Sequence, residues 1–311
     1  MGNVIAICTS DVRGIQKAPQ DSAFFEKDWG IQGDAHAGNW HRQVSLLGAE
    51  KIEQFNAKGA GVKPGAFGEN LVVEGFDFRA LPVGTLLRCG PVLLELTQIG
   101  KECHSHCEIY KKMGDCIMPR EGVFARVLEP GAIRIGDEMV LEARRSPRPW
   151  QAAVITLSDK GAAGLREDKS GPVIARRLRE NGYDVVEQLL LADEPEPLKE
   201  QLTRLADQRQ LDLILTTGGT GFGPRDTTPE AVLAVSHRNA PGIAEAIRAA
   251  SMAITPRAML SRGVSVIRGK TLIVTLPGSP KACAESMDAF LDVIPHGLEL
   301  LRGTAADCAR R

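Results

Sequence analysis

The spacing of apolar and polar positions changes character about halfway along the chain. Up to about residue 142, short apolar runs alternate with turn signals: Val4 to Cys8, Val44 to Leu47, Asn70 to Val73, Thr85 to Cys89 and Val92 to Thr97, with Leu81-Pro82-Val83-Gly84 a typical turn between two of them. Helical spacing is sparse there, apart from about residues 48 to 57. This pattern predicts a mainly β barrel or sandwich.

Beyond residue 150 the pattern becomes strand, helix, strand, helix. Ala152 to Leu157 predicts a buried strand. Gly171 to Glu180 predicts a helix stopped by Asn181-Gly182, Val185 to Leu191 a strand, and Pro195 to Gln208 an amphipathic helix. Leu211 to Leu215 and Thr271 to Leu276 add strands, and Lys281 to Leu301 predicts one long closing helix. Such alternation implies an α/β domain with a mostly parallel sheet between helical layers. Residues 144 to 150, rich in charge and proline, can continue neither a helix nor a central strand, so we expect domains at 1–143 and 151–311 with a linker between them.

Composition narrows the function. The 311 residues are 43% apolar, enough for two cores, and 38 basic against 39 acidic residues leave no excess for nucleic acid. No apolar run is long enough to span a bilayer. Seven cysteines without framework spacing, and a first ten residues lacking the basic start and apolar core of a signal peptide, lead us to expect reduced thiols and a cytoplasmic location.

The most specific chemistry lies in Thr216-Thr217-Gly218-Gly219-Thr220-Gly221-Phe222-Gly223-Pro224-Arg225-Asp226, between an apolar strand and the helix start Thr227-Thr228-Pro229-Glu230. Its glycines let backbone N–H groups approach an anion, although the ending of a nucleotide P-loop and the spacing of the dinucleotide fingerprint are both absent. Ligands of parallel sheets collect beyond the carboxyl ends of the strands. There, Ser158-Asp159, Asp193 and the glycine loop with Asp226 should converge as three acids and a phosphate cradle. Local sequence also admits simpler roles: Asp193 as a helix cap, Asp226 as a loop acid, Gly278 as a turn glycine and Arg262 as a solvated charge.

Ser158-Asp159, Asp168-x-Ser170-Gly171, the glycine loop, Arg225-Asp226-x-Thr228-Pro229-Glu230, Pro241-Gly242, Leu260-Ser261-Arg262 and Leu276-Pro277-Gly278-Ser279-Pro280-Lys281 together resemble the molybdopterin adenylyltransferase family, which includes the G domain of gephyrin. The resemblance runs from about Ala152 to Arg302. It implies transfer of AMP from ATP to the terminal phosphate of molybdopterin, with Asp193 and Asp226 holding Mg²⁺ and positioning nucleotide. It also implies that Ser158, Asp159, Gly218, Gly219, Thr220, Gly221, Ser261, Arg262, Gly278, Ser279 and Lys281 line the substrate site, with asparagine common in the family where Ser279 stands. A homotrimer and partners that insert molybdate belong to the same expectation. A non-catalytic molybdopterin carrier or assembly scaffold is the alternative.

In the first half, Gly33-Asp34-x-His36-x-Gly38, His41-Arg42-Gln43-Val44-Ser45-Leu46-Leu47, Pro64-Gly65-x-Phe67-Gly68-Glu69-Asn70-Leu71 and Leu81-Pro82-Val83-Gly84 resemble the MOSC domain. That resemblance implies a β-rich domain that binds, modifies or passes on molybdenum cofactor or a cysteine-borne sulfur. Cys103 is the candidate, beside Lys101, with His36 and Arg42 as companions. Cys103-His104-Ser105-His106-Cys107 with Cys116 also admits a zinc site in a regulatory module, or ordinary thiols.

Overall fold

A computed structural model describes residues 1–103 and 107–304. The chain divides into two compact units, residues 1–148 and from 149 onward.

In the first unit the strands are β1 (Gly2–Thr9), β2 (Ala18–Gln20), β3 (Ser22–Glu26), β4 (Gly30–Ile31), β5 (Val44–Gly48), β6 (Leu71–Glu74), β7 (Leu86–Cys89), β8 (Val92–Ile99), β9 (Val123–Glu129), β10 (Gly131–Arg134) and β11 (Glu138–Glu142). Helix α1 (Ala49–Asn56) follows β5, and α2 (Glu108–Met113) and α3 (Met118–Glu121) lie between β8 and β9. Seven strands close a barrel in the order β11, β7, β8, β9, β5, β6, β1, and Gly2 opposite Met139 returns the ring to β11. Closure satisfies every strand edge of the ring. Among the described residues of this unit only β5 and β6 pair in parallel, with Leu46 opposite Leu71. Leu46, Leu71, Val73, Val123 and Ala125 belong to one core. Leu47, Val72 and Phe124, on the alternate face, pack with Ile52 and Phe55 of α1, Ile109 of α2 and Met118 of α3. The sequence pattern anticipates the barrel, but not β2, β3, β4 and β10, nor the two short helices. These are too brief to show a period.

The second unit contains β12 (Trp150–Leu157), α4 (Asp159–Ala162), α5 (Ser170–Glu180), β13 (Tyr183–Leu191), α6 (Pro195–Thr203), β14 (Leu213–Thr217), α7 (Thr228–Ala234), β15 (Arg238–Asn239), α8 (Pro241–Ile254), β16 (Ser265–Arg268), β17 (Thr271–Leu276), α9 (Pro280–Asp288) and α10 (Ile294–Arg302). The sheet order is β13, β12, β14, β17, β16, β15; the first four strands are mutually parallel, β16 runs antiparallel to β17, and β15 runs antiparallel to β16. Side chains alternate between two cores. Ala152, Val154, Leu213 and Leu215 pack with α5, α9 and α10, while Ala153, Ile155 and Ile214 pack with α6 and α7.

Two expectations need correction. The closing helix is interrupted: α9 ends at Asp288 and α10 begins at Ile294. Pro295 explains the break, because in a continuous helix its ring would meet the Leu291 carbonyl and its nitrogen could not donate. The helix from Pro195 keeps α geometry only to Thr203, after which Arg204–Gln208 widens into a π turn.

Candidate active site

A cleft of about 800 Å³ opens at the carboxyl ends of the parallel strands of the second unit. Ser158 follows β12, Asp193 follows β13, Gly219 and Asp226 follow β14, and Gly278 and Ser279 follow β17; all six line the cleft. The strand order places these loops side by side although they are spread over 122 residues of sequence.

The glycine loop has the backbone that only glycine accommodates comfortably. Gly218 and Gly219 have φ of 100° and 63°. A Cβ on Gly218 would collide with the Leu157 carbonyl, and one on Gly219 with the Thr228 hydroxyl. The loop is braced from behind. Arg262 donates from Nε to the Gly221 carbonyl at 2.7 Å, and its other nitrogens meet the Asp226 carbonyl and Glu230. Its guanidinium therefore holds the loop and is already paired.

Asp193 does not cap α6. Helix α6 starts without a side-chain cap, and Asp193 Oδ2 instead accepts the Asp159 N–H at 2.9 Å while its own N–H donates to Asp159 Oδ1 at 3.0 Å. Asp226 Oδ2 accepts the Gly223 N–H at 2.7 Å, closing the turn of the glycine loop. Burial pushes the Asp193 carboxyl above its ordinary value; the negative charges of Asp159 and Asp226 act in the same direction, against the Asp159 amide and Arg225. Asp159 moves the other way, held below its ordinary value by Arg225 and by the Asp193 amide. A divalent cation would relieve the crowding of charge around Asp193. Two carboxylates completed by substrate phosphates suit Mg²⁺, which seldom takes an all-protein cage.

The remaining predicted residues lie at different distances from the chemistry. Thr220 is buried, and its carbonyl accepts the Arg262 N–H. Ser261 Oγ accepts the Gly263 N–H at 3.3 Å and does not line the cleft. Ser279 lines the cleft and caps α9 by accepting the Ala282 N–H. Lys281 is 84% exposed, outside the cleft lining, with Glu285 at 3.7 Å. Sequence reasoning did not name Thr156, Arg166, Asp168, Lys169 or Thr217 as lining residues. Asp-x-Ser-Gly ahead of a helix is the signal that could have located Asp168. Its Oδ1 accepts the N–H groups of Ser170 and Gly171, and its Oδ2 accepts the Thr156 hydroxyl.

The first unit has its own pocket, of about 470 Å³, where His36, Lys101, Cys103, Cys107 and Cys116 meet. Cys103 and Cys107 are exposed and Cys116 is buried; burial raises the Cys116 thiol above its ordinary value. Next to His36 lies a closed ion pair, Lys17 Nζ to Asp34 at 2.8 Å, with neither side chain exposed. Asn70 Nδ2 donates to Asp34 as well, at 3.0 Å. Burial opposes the charge on Asp34, yet hydrogen bonds from His36 and Lys17 outweigh it and hold the carboxyl well below its ordinary range. Arg42 is not in the pocket lining; its guanidinium stacks over Trp40 at 4.7 Å. Among the described residues no three His, Cys, Asp or Glu side chains are grouped to hold a metal ion, and His104 and His106 of the zinc reading lie outside the described residues.

Comparison with known proteins accounts for both units. A family model described as "Probable molybdopterin binding domain" matches residues 153–296, and the MOSC domain model matches residues 33–140. The molybdopterin adenylyltransferase of Helicobacter pylori is 39% identical over 152 residues, covering 48% of this chain and 86% of that protein. Gephyrin of Dictyostelium discoideum is 38% identical over 170 residues, which are 51% of this chain but 24% of gephyrin, so the chain spans about a quarter of that relative. A crystal structure of the molybdopterin biosynthesis enzyme MoaB from Thermus thermophilus is 46% identical, covering 50% of this chain and 97% of that one, with a TM-score of 0.48.

Proposed function

We propose, from the premise that this chain belongs to the molybdopterin adenylyltransferase family and carries a MOSC domain, that its second unit transfers AMP from ATP to the terminal phosphate of molybdopterin and releases pyrophosphate. The observation that carries this reading is the convergence of Asp193, Asp226 and the glycine loop in one cleft at the ends of β13 and β14, the two parallel strands that flank β12. The loop offers backbone N–H groups to one phosphate. Asp193 and Asp226 would hold Mg²⁺, which supplies charge neutralisation for the nucleotide phosphates when bound. The protein needs no nucleophile of its own, because the attacking oxygen belongs to molybdopterin; catalysis is positioning and electrostatics.

The first unit we assign to binding, modifying or passing on the cofactor, with Cys103 as the residue that meets it and His36 beside it in the same pocket. We carry a homotrimer forward as the assembly, to be checked by light scattering, and molybdate-inserting proteins as partners. No helix among the described residues is long and apolar enough to cross a membrane.

The test is turnover of purified protein with molybdopterin, ATP and Mg²⁺, following pyrophosphate and the adenylated pterin, with Asp226→Asn as control. Product from the wild type and almost none from the variant supports the enzyme. Tight molybdopterin binding without ATP cleavage would leave a carrier.

A further inference from the structure

Two polyanions meeting in one cleft require cations, and the arginines that sequence motifs bring to the loop are already paired. Arg225 is bound to Asp159 at 2.7 Å and to Glu194 at 2.9 Å. Arg262 braces the glycine loop and pairs with Glu230. Arg166 and Lys169 differ. Both line the cleft, both are exposed, and neither side chain makes an ion pair or hydrogen bond among the described residues.

Of the two acids between them, Asp168 does not neutralise them, because its oxygens are taken by the Thr156 hydroxyl and by the N–H groups of Ser170 and Gly171, and Glu167, exposed at the same cleft, forms an ion pair with neither. These bonds also fix the segment that carries the two cations. Ser170 Oγ donates to the Gly278 carbonyl at 2.8 Å, tying the start of α5 to the loop after β17. Two unpaired positive side chains thus stand on an anchored segment at the cleft. Free charges facing a binding site and lacking an internal partner are arranged for a ligand of opposite charge.

We propose that Arg166 and Lys169 bind the β- and γ-phosphates of ATP and hold the pyrophosphate as it leaves. This rests on the adenylyl-transfer reading above and deepens it. In that reaction a phosphate oxygen of molybdopterin bonds to the α-phosphorus of ATP. The bond from that phosphorus to the oxygen bridging to the β-phosphorus breaks, and the electron pair departs with pyrophosphate; no proton or oxidant is needed. Negative charge grows on the departing group, so cations placed there stabilise the transition state more than the bound substrate. A monophosphate fits the backbone cradle of the glycine loop, whereas a triphosphate carries more charge than backbone dipoles alone can match.

Inorganic pyrophosphate, Mg·ATP and molybdopterin titrated calorimetrically into the full chain, and into Arg166→Ala, Lys169→Ala, the double variant and Lys169→Arg, test this. Each lost charge-assisted contact should weaken pyrophosphate binding about tenfold. Lys169→Arg should retain most of the affinity, and molybdopterin affinity should stay within about twofold. The double variant should also show a shallower salt dependence at an unchanged melting temperature. If wild type turns over ATP while the double variant binds pyrophosphate as tightly as wild type, the inference fails and the enzyme reading stands. Loss of molybdopterin affinity as large as the loss for pyrophosphate would overturn it too, by moving the cations to the pterin phosphate. If wild type binds molybdopterin but neither ATP nor pyrophosphate, adenylyl transfer itself falls, and the inference with it.

Discussion

The two pockets of this chain are built in opposite ways. In the second unit each contribution leaves the same end of a neighbouring strand, so pairing of β13, β12, β14 and β17 sets where Asp193, Ser158, the glycine loop and Gly278 arrive. In the first unit His36, Gly68, Cys103 and Cys116 come from loops and short helices around a closed barrel, and no strand pair fixes their mutual distances. The first arrangement suits chemistry that is mostly positioning, because a rigid sheet holds phosphate contacts at little entropic cost. The second leaves two thiols exposed in a pocket shared with His36, whose neighbour Asp34 is held by Lys17 and Asn70.

If that contrast is right, removing charge should abolish function in one unit and stability in the other. Asp226→Asn or Asp193→Asn should lower adenylyl transfer by about 100-fold or more, since each removes a carboxylate assigned to the metal. The thermal transition should hardly move, because Asp193 and Asp226 face the cleft. Steady-state kinetics beside calorimetry decides this; a variant that unfolds early yet turns over normally would reverse the assignment.

Lys17→Met should do the reverse. It leaves the Asp34 carboxylate buried without its cation, which costs about 3–5 kcal/mol. Unfolding followed by probes in each unit should show the first unit melting early while AMP transfer by the second persists. The same pair has a pH signature. A carboxyl whose folded pKa lies below its unfolded value gives stability that is present above the unfolded value, near the ordinary 3.8, and is lost as pH falls below it. Acid below about pH 4 should therefore unfold the first unit in wild type, and Lys17→Met should flatten that dependence.

A smaller loss is expected from Gly219→Ala, where positive φ and the Thr228 hydroxyl both oppose a Cβ. Roughly 1–3 kcal/mol of strain should appear as reduced stability and weaker phosphate binding together. Normal affinity in that variant would mean that the loop is not the cradle.

These contrasts also explain what the sequence could tell. Apolar runs such as Ala152 to Leu157 and the glycine loop after Thr217 are contiguous signals, and a parallel sheet converts them into spatial neighbours almost by rule. Arg166 and Lys169 were invisible because an exposed cation in a loop looks the same whether or not it has a partner. Arg262 looked like a pocket residue for the same reason, and only its bonds to Gly221 and Glu230 reveal a brace. In the barrel, Leu46 and Leu47 serve different cores through simple alternation. The helices α2 and α3 are too short for a period, so the elements flanking the thiol pocket had no signature of their own. Pro295 was legible as a breaker but lay within an apolar pattern that continued on both sides of it.

The mildest intervention is to label thiols without changing fold or turnover. Cys103 and Cys107 are exposed, whereas burial raises Cys116 and raises Cys8 to about 11. The thiolate is the form that reacts, so iodoacetamide near pH 8 should modify Cys103 and Cys107 first, then Cys116, then Cys8, with Cys89, which burial raises to about 12, slower still. Raising the pH toward 11 should narrow the gap for Cys8, because its neutral thiol ionises only there. Adenylyl transfer should remain unchanged as Cys103 and Cys107 are blocked, since neither lines the cleft of the second unit. Peptide mapping by mass spectrometry at successive times separates these steps. If Cys116 reacted as fast as Cys103, the pocket would be open to its floor, and the contrast between a rigid cleft and an accessible rim over a closed interior would lose its second half.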